Sequence, residues 1–295
     1  MKITITGSLG NISQKLVERL AAAGNDITVI SHTEERVPAI EQAGARAAIG
    51  SLEDQDFLIR SFEHADAVYT MIPPNYVTTD LRGYMRATGE RYAEAIRRSS
   101  VKHVVNLSSV GAHLPEGPGP TGTNYYIEQK LNELPGVHVL HLRPGMFYTN
   151  FYGAIPMMRH QGIVGHNFDG TVKMVLTHPH DIAAAAFEAL HALSFTGKAI
   201  QYVASDERNG NEVAAALGNA IGKTLSWVAF PDEAMLQGML QNGLTEQMAT
   251  IYVLEIGKAL RDGVLFGDYE KNRSLATGSI TLNDFAQEFA HAFNK

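Results

Sequence analysis

The feature that most constrains this chain is its first turn. Residues 1 to 13 read MKITITGSLGNIS. Ile3 and Ile5, with Thr4 and Thr6 between and beside them, form a short β-branched run that suits a buried strand. Gly7 and Gly10 follow at once. Leu16, Val17, Leu20 and Ala21 then recur at helical spacing and predict a helix over 14–23. Strand, glycine turn and helix in direct succession allow a backbone to pass close to a pyrophosphate. The helix start offers free N–H groups and the positive end of a dipole. The spacing is Gly7-x-x-Gly10-x-x-Ser13, so Gly7, Ser8, Leu9, Gly10, Asn11 and Ile12 are the candidate phosphate cradle. The competing reading is a tight turn without a ligand.

The rest of the chain alternates in the same manner. Strands are expected at 27–30, 45–49, 67–72, 101–107 and 137–142, with helices between them at 37–43, 57–62 and 80–98. Such alternation predicts a parallel sheet covered on both faces, an α/β fold of the doubly wound Rossmann type. Asp54 and Asp56 are placed to help a helix N-terminus. Beyond residue 150 regularity falls. A helix is expected from Asp181 to Leu190 with Asp181 as its cap, a strand at 200–203, and a helix at 212–221. A helical region at 232–261 is interrupted at Gly238 and Gly243, and a capped amphipathic helix follows Thr281 and Asp284. The expected division is a dinucleotide-binding domain over 1–153, its sheet completed by about 180–205. A small, mostly helical substrate lobe is expected from 154–179 and 206–295.

Composition narrows the function. The chain has 295 residues, 45% of them apolar and 19% charged, which describes a globular protein with a sizeable core. A formal net charge of −7 argues against a general nucleic-acid binder. The absence of cysteine removes disulfides, thiolate metal sites and cysteine nucleophiles, and fits a cytoplasmic setting. No signal peptide or membrane span is expected. His178-Pro-His180-Asp181, with His160 and His166 upstream, is the densest histidine cluster. It lacks the spacing of a metal motif, so no metal is expected. No GxSxG supports a serine hydrolase.

Several strand ends carry further candidates. The second strand ends in Ser31 and His32 with Arg36 one turn on and no acid at the end itself, although Glu34 and Glu35 are near, which favours the 2′-phosphate of NADP over the ribose hydroxyl of NAD; the competing reading of Arg36 is a solvated side chain on the next helix. Ser51 and Leu52 would lie beside an adenine. Met71, Ile72 and Pro73, at the end of the fourth strand, would line the cofactor cleft. Ser108 and Ser109 close the fifth strand and are not separable by sequence. Tyr126 and Lys130 are four apart and share one helical face, so the pair suits a phenol acid/base beside an ammonium that lowers its pKa. The alternatives are a packed aromatic and a surface lysine, and the adjacent Tyr125 competes for the same role.

With these residues in place, the chain resembles the NmrA-like branch of the atypical short-chain dehydrogenase/reductases and is similar to the bacterial type 2 NADPH:quinone oxidoreductases. The matching motifs are the Gly7-x-x-Gly10 turn, the Ser51 turn and Ser108-Ser109-Val-Gly-Ala. Leu142-Arg143-Pro144-Gly145-x-Phe147-x-x-Asn150, Asp181-x-Ala-Ala-Ala and the Thr281 helix complete them. The resemblance implies NADP(H) or NAD(H) in the cleft, with Pro144, Phe147 and Lys130 among its contacts and His32 where a basic residue meets the 2′-phosphate. It implies hydride transfer to a quinone or other small carbonyl; on the reading of the residues themselves, if a carbonyl is reduced, Tyr126 with Lys130 beside it would protonate the oxygen while Ser109 bonds it, which makes these three the candidate catalytic residues. Ser13 departs from the third glycine of the pattern, and many NmrA-like proteins lack the Tyr126-x-x-x-Lys130 pair. Two other functions stay open: a redox sensor that binds the dinucleotide and reports to a protein partner, and a nucleotide-sugar epimerase. A homodimer is compatible with any of these.

Overall fold

The computed structural model describes residues 1–75 and 77–295. Among them twelve strands follow in order: β1 (Lys2–Ile5), β2 (Asp26–Ser31), β3 (Arg46–Ile49), β4 (Ala67–Thr70), β5 (His103–Leu107), β6 (His138–Pro144), β7 (Met146–Phe147), β8 (Ile163–His166), β9 (Lys173–Thr177), β10 (Lys198–Val203), β11 (Asp206–Asn209) and β12 (Ser226–Ala229). The helices are α1 (Ser13–Ala22), α2 (Val37–Gln42), α3 (Gln55–Phe62), α4 (Leu81–Arg97), α5 (Thr121–Asn132), α6 (Ile155–Gln161), α7 (Pro179–Ala192), α8 (Gly210–Ile221), α9 (Asp232–Gln241), α10 (Glu246–Met248), α11 (Glu255–Arg261), α12 (Gly267–Asn272) and α13 (Leu282–Phe293).

Seven strands make one sheet in the order β3-β2-β1-β4-β5-β6-β10, every pair parallel. The first six carry the Rossmann order, and β10 extends it beside β6. β1 sits at the point where the chain reverses its direction of winding, so its carboxyl end opens the crevice where such sheets hold ligands. Helices cover both faces. On one, α1 packs on α7 through Leu16, Val17, Leu20, Ile182 and Ala186. On the other, α3, α4 and α5 pack in series through Leu58, Phe62, Tyr92, Ile96, Ile127 and Leu131. The expected Rossmann-type architecture is the one the structure has.

The remaining pieces form a second core. A three-stranded sheet (β11-β9-β7) and a parallel pair (β12-β8) accompany the later helices. Tyr148 stacks on Phe285 at 4.9 Å and Tyr152 on Phe289 at 5.6 Å, with Phe151 and Met158 buried nearby. Helix starts follow local chemistry. Asp54 accepts from the Phe57 amide and Asp80 from the Gly83 amide, while Asn209/Glu212 and Thr281/Asp284 form reciprocal capping boxes.

Three expectations are corrected. The fourth strand stops at Thr70, two residues before Ile72. Side chains take over its backbone there: the Met71 N–H donates to Thr6 Oγ1, and the Met71 carbonyl accepts from Thr6 and Tyr92 hydroxyls. Gly238 lies inside α9, and the chain breaks at Gly243, whose φ of +88° an L side chain rarely adopts. Asp181 is not a cap. His178 caps α7 by accepting from the His180 amide, and Asp181 is turned inward to the segment before α13. It accepts from Ser205 Oγ at 2.5 Å, from the Ser279 and Ile280 amides at 3.0 Å each, and from Ser279 Oγ at 3.3 Å.

Candidate cofactor cleft

The turn after β1 is shaped by two glycines with different duties. Gly7 has φ +91°, and a Cβ there would overlap the Met71 side chain, so the fold itself requires glycine. Gly10 is exposed, and a Cβ built on it meets only the Gly7 carbonyl, at an ordinary 3.7 Å. Its missing side chain leaves room outside the protein. Ser8, at φ +52°, is one of two non-glycine residues in the left-handed region among those described. The α1 ladder starts with the Gln14 amide on the Gly10 carbonyl, leaving the amides of Gly10, Asn11, Ile12 and Ser13 without partners among the described residues. Ser13 is buried where the pattern has glycine, and its hydroxyl donates to the Thr6 carbonyl at 3.5 Å. These features fit a diphosphate: an unpaired set of donors, an open approach at Gly10 and a helix start of positive potential.

The other strand ends gather around this turn. The Ser8 amide donates to the Ile30 carbonyl and its hydroxyl to Ser31 Oγ at 3.2 Å, while Ser31 donates on to the Thr33 carbonyl. His32 and Arg36 are exposed beyond it, and Arg36 makes no ion pair among the described residues. Arg36 and Leu9 both line a ≈ 560 Å³ groove together with residues of α1 and α2. The Gly50 amide donates to Ser31, placing the Ser51–Leu52 turn beside β2, and Ser51 Oγ accepts from the Glu53 amide. Met71, Ile72 and Pro73 leave β4 half-buried, Pro73 accepting from Tyr84.

Ser108 and Ser109 point differently. The Ser108 and Val110 amides donate to the Leu142 and Pro144 carbonyls, which carries the β5–β6 register past the strand ends toward Phe147. Ser108 is buried and gives its hydroxyl proton to Glu128 Oε1 at 2.5 Å. Ser109 is half-buried, and its hydroxyl has no partner among the described residues.

Tyr126 and Lys130 lie apart from these groups. Both line a ≈ 600 Å³ groove between α4 and α5. The Tyr126 hydroxyl donates to Glu90 of α4, and Lys130 pairs with Glu133 at 3.0 Å. Glu90 holds the phenol above its usual range, outweighing the cations Lys130 and Arg86 over the ring. On α5 the side facing Ser108 belongs instead to Glu128, two residues and therefore about 200° away from Tyr126.

Glu128 and Arg143 escaped the sequence reading as a pair. Arg143 Nε and Nη2 reach the two Glu128 oxygens at 2.9 and 2.6 Å, and Nη1 reaches Tyr202 and Asp268 at 3.1 Å each. The available signal was a glutamate between Ile127 and Leu131, and an arginine ending an apolar strand, because a charge in such a run is buried only with a partner. His178 Nε2–H donates to the Glu288 carboxylate at 3.2 Å, its Nδ1 accepting from the His180 amide, and no group of three or more metal-ligating side chains occurs among the described residues.

A seven-stranded parallel sheet with a glycine turn and open helix start at its first crossover defines a Rossmann-type dinucleotide-binding fold. The model of the NmrA-like family matches residues 1–262, and the chain belongs to that family. It is 26% identical over 249 residues to an NAD(P)H azoreductase of Xenophilus azovorans, covering 84% of this chain and 83% of that one. Its fold is similar to that of an NADPH-dependent quinone oxidoreductase of Escherichia coli solved with NADPH, at TM-score 0.81 and 18% identity over 97% of this chain and 99% of the other. A triphenylmethane reductase of Citrobacter sp. solved with NADP(H) superimposes at TM-score 0.82 and 18% identity, over 98% and 99%. No helix among the described residues is long and apolar enough to cross a membrane.

Proposed function

We propose that this protein is an NAD(P)H-dependent reductase, with NADP(H) preferred, that passes hydride to a quinone or another small conjugated carbonyl compound. The observation that carries the proposal is the turn from Gly7 to Ser13, with its unpaired amides and the open approach at Gly10. The names of similar proteins, an NAD(P)H azoreductase, an NADPH-dependent quinone oxidoreductase and a triphenylmethane reductase, support the reaction class. When bound, the cofactor supplies the hydride. The chain holds the diphosphate at residues 10–13 and the 2′-phosphate at Arg36 and His32. It orients the acceptor at Ser109, whose free hydroxyl donates to the acceptor oxygen, and it excludes water with the second core. Tyr126 takes no part in this reading, because its hydroxyl is committed to Glu90.

The test is a titration with NADPH followed by its consumption with a panel of quinones. Saturable binding and turnover are expected, and Tyr126→Phe is expected to turn over within about threefold of the parent, as for a hydrogen bond worth about a kcal/mol or less outside the site. No affinity for any nicotinamide nucleotide sinks the proposal. A sensor that binds without turning over is the second reading. It is favoured by one observation: the pair expected to supply acid and base faces α4. Binding of both oxidation states with no consumption of NADPH selects it.

A further inference from the structure

Ser109 lies in a turn that one buried ion pair grips from both sides. Before it, the Ser108 hydroxyl donates to Glu128 Oε1 at 2.5 Å. After it, the Ala112 carbonyl accepts from Arg143 Nη2 at 3.3 Å, and the Ala112 amide turns back to the Ser109 carbonyl at 3.2 Å. The backbone repeats the bracket. The Ser108 and Val110 amides donate to the Leu142 and Pro144 carbonyls at 2.8 and 2.9 Å, and those two residues flank Arg143. Arg143 is fixed in its turn, since Nε and Nη2 are held by Glu128 and Nη1 by Tyr202 and Asp268. The Ser109 hydroxyl takes part in none of these bonds. A buried ion pair is often no more stabilising than apolar residues of similar volume. What apolar residues could not supply is a directional hold on a hydroxyl at one side of Ser109 and a carbonyl at the other.

We infer that Glu128 and Arg143 are positioning residues for the reduction: through Ser108 and Ala112 they fix the turn that presents the free Ser109 hydroxyl to the acceptor oxygen. This deepens the reductase reading above and rests on it. Neither residue touches the acceptor or exchanges a proton with it. Their effect is geometric, and a misplacement of about an ångström in a reacting site costs up to about a hundredfold in rate. The Ser109 bond strengthens as hydride arrives and negative charge gathers on the acceptor oxygen, so a loosened turn lowers kcat more than it raises KM.

Mutant cycles decide the matter. Ser108→Ala releases the turn on one side and leaves the ion pair whole. Arg143→Lys keeps a positive charge for Glu128 but loses the fork that reaches Ala112. Each is made in the wild type and in Ser109→Ala, and each protein is assayed below its own unfolding temperature with NADPH and 1,4-naphthoquinone. Ser109→Ala is expected to lower kcat by about tenfold or more. Ser108→Ala and Arg143→Lys are each expected to lower kcat by about fivefold or more, with KM for the quinone and Kd for NADPH within about twofold of wild type. In the Ser109→Ala background the same two changes are expected to alter kcat by less than about twofold, because the hydroxyl they position is gone. A loss of general structural origin would be the same factor in both backgrounds, and that result overturns the inference. So does a Ser108→Ala protein that keeps its kcat. Should Arg143→Lys fail to fold, the Ser108 cycle decides alone. A wild type that consumes no NADPH removes the reductase reading and this inference with it. An indifferent Ser109→Ala takes Ser109 out of that reading and this inference with it, whereas a costly Ser109→Ala with equal losses in the two backgrounds removes this inference alone.

Discussion

Glu128 and Arg143 meet as a fork on a fork, with side-chain exposures of only 2% and 4%. The five guanidinium bonds run to both Glu128 oxygens, Tyr202, Asp268 and the Ala112 carbonyl, which answers each N–H the group has. Ser108 adds its own proton to the carboxylate. Helix α5, strands β5, β6 and β10 and helix α12 therefore share one buried charge pair.

Breaking that pair from one side leaves an uncompensated charge in the core. Glu128→Leu is expected to lose about 3–5 kcal/mol of stability. Ser108→Ala, which spares the pair, is expected to lose only about 1 kcal/mol. Urea unfolding monitored by circular dichroism measures both, and equal losses would contradict the central place given to the charges.

The two glycines of the first turn are expected to respond in opposite ways. Gly7→Ala forces a side chain into φ +91° and against Met71, so it should lower the unfolding temperature. Gly10→Ala meets nothing closer than 3.7 Å and should leave that temperature unchanged. Its methyl group would instead fill the approach to the amides and raise the NADPH dissociation constant by about tenfold or more. Calorimetry of unfolding and of binding on the same samples separates the two effects.

Arg36 is exposed and free of ion pairs among the described residues, so its removal should cost the fold nothing measurable. Arg36→Ala is expected to weaken NADPH binding by about tenfold while leaving NADH binding unchanged. Equal effects on both nucleotides would take the 2′-phosphate away from this residue.

Acid should unfold the protein partly through His141. Asn106 Nδ2 donates to its Nδ1 at 3.1 Å, so its Nε2–H donates to Asn132 Oδ1 at 3.0 Å and the ring is neutral. Burial pushes its pKa down to about 4, and burial does the same to His166. Between about pH 6.5 and 4 the unfolded chain takes up protons that these folded side chains refuse. Their contribution is therefore fully present above about pH 6.5 and is lost progressively as the pH falls to about 4. Urea midpoints across that range should decline, and His141→Gln, weaker at every pH, should show a shallower decline.

Local chemistry made much of the architecture readable. The first turn needs only neighbours in sequence, so Gly7, Gly10 and the helix start at Ser13 follow from thirteen residues. Alternating apolar runs were enough to give the Rossmann-type sheet. The failures lie where a residue answers to something distant. Asp181 reads as a cap because it opens a helix, yet its partners are Ser205, Ser279 and Ile280. Spacing puts Tyr126 and Lys130 on one face but cannot say what that face meets, which is Glu90 of α4 for Tyr126, while Glu128 occupies the side toward Ser108.

The inward turn of Asp181 has a consequence for how the chain is made. Synthesis delivers α7 and Ser205 long before residues 279 and 280 leave the ribosome, so during that interval the Asp181 carboxylate has the Ser205 hydroxyl but waits for its remaining donors. Only arrival of the segment before the final helix closes the circle, which ties completion of α7 to delivery of the end of the chain.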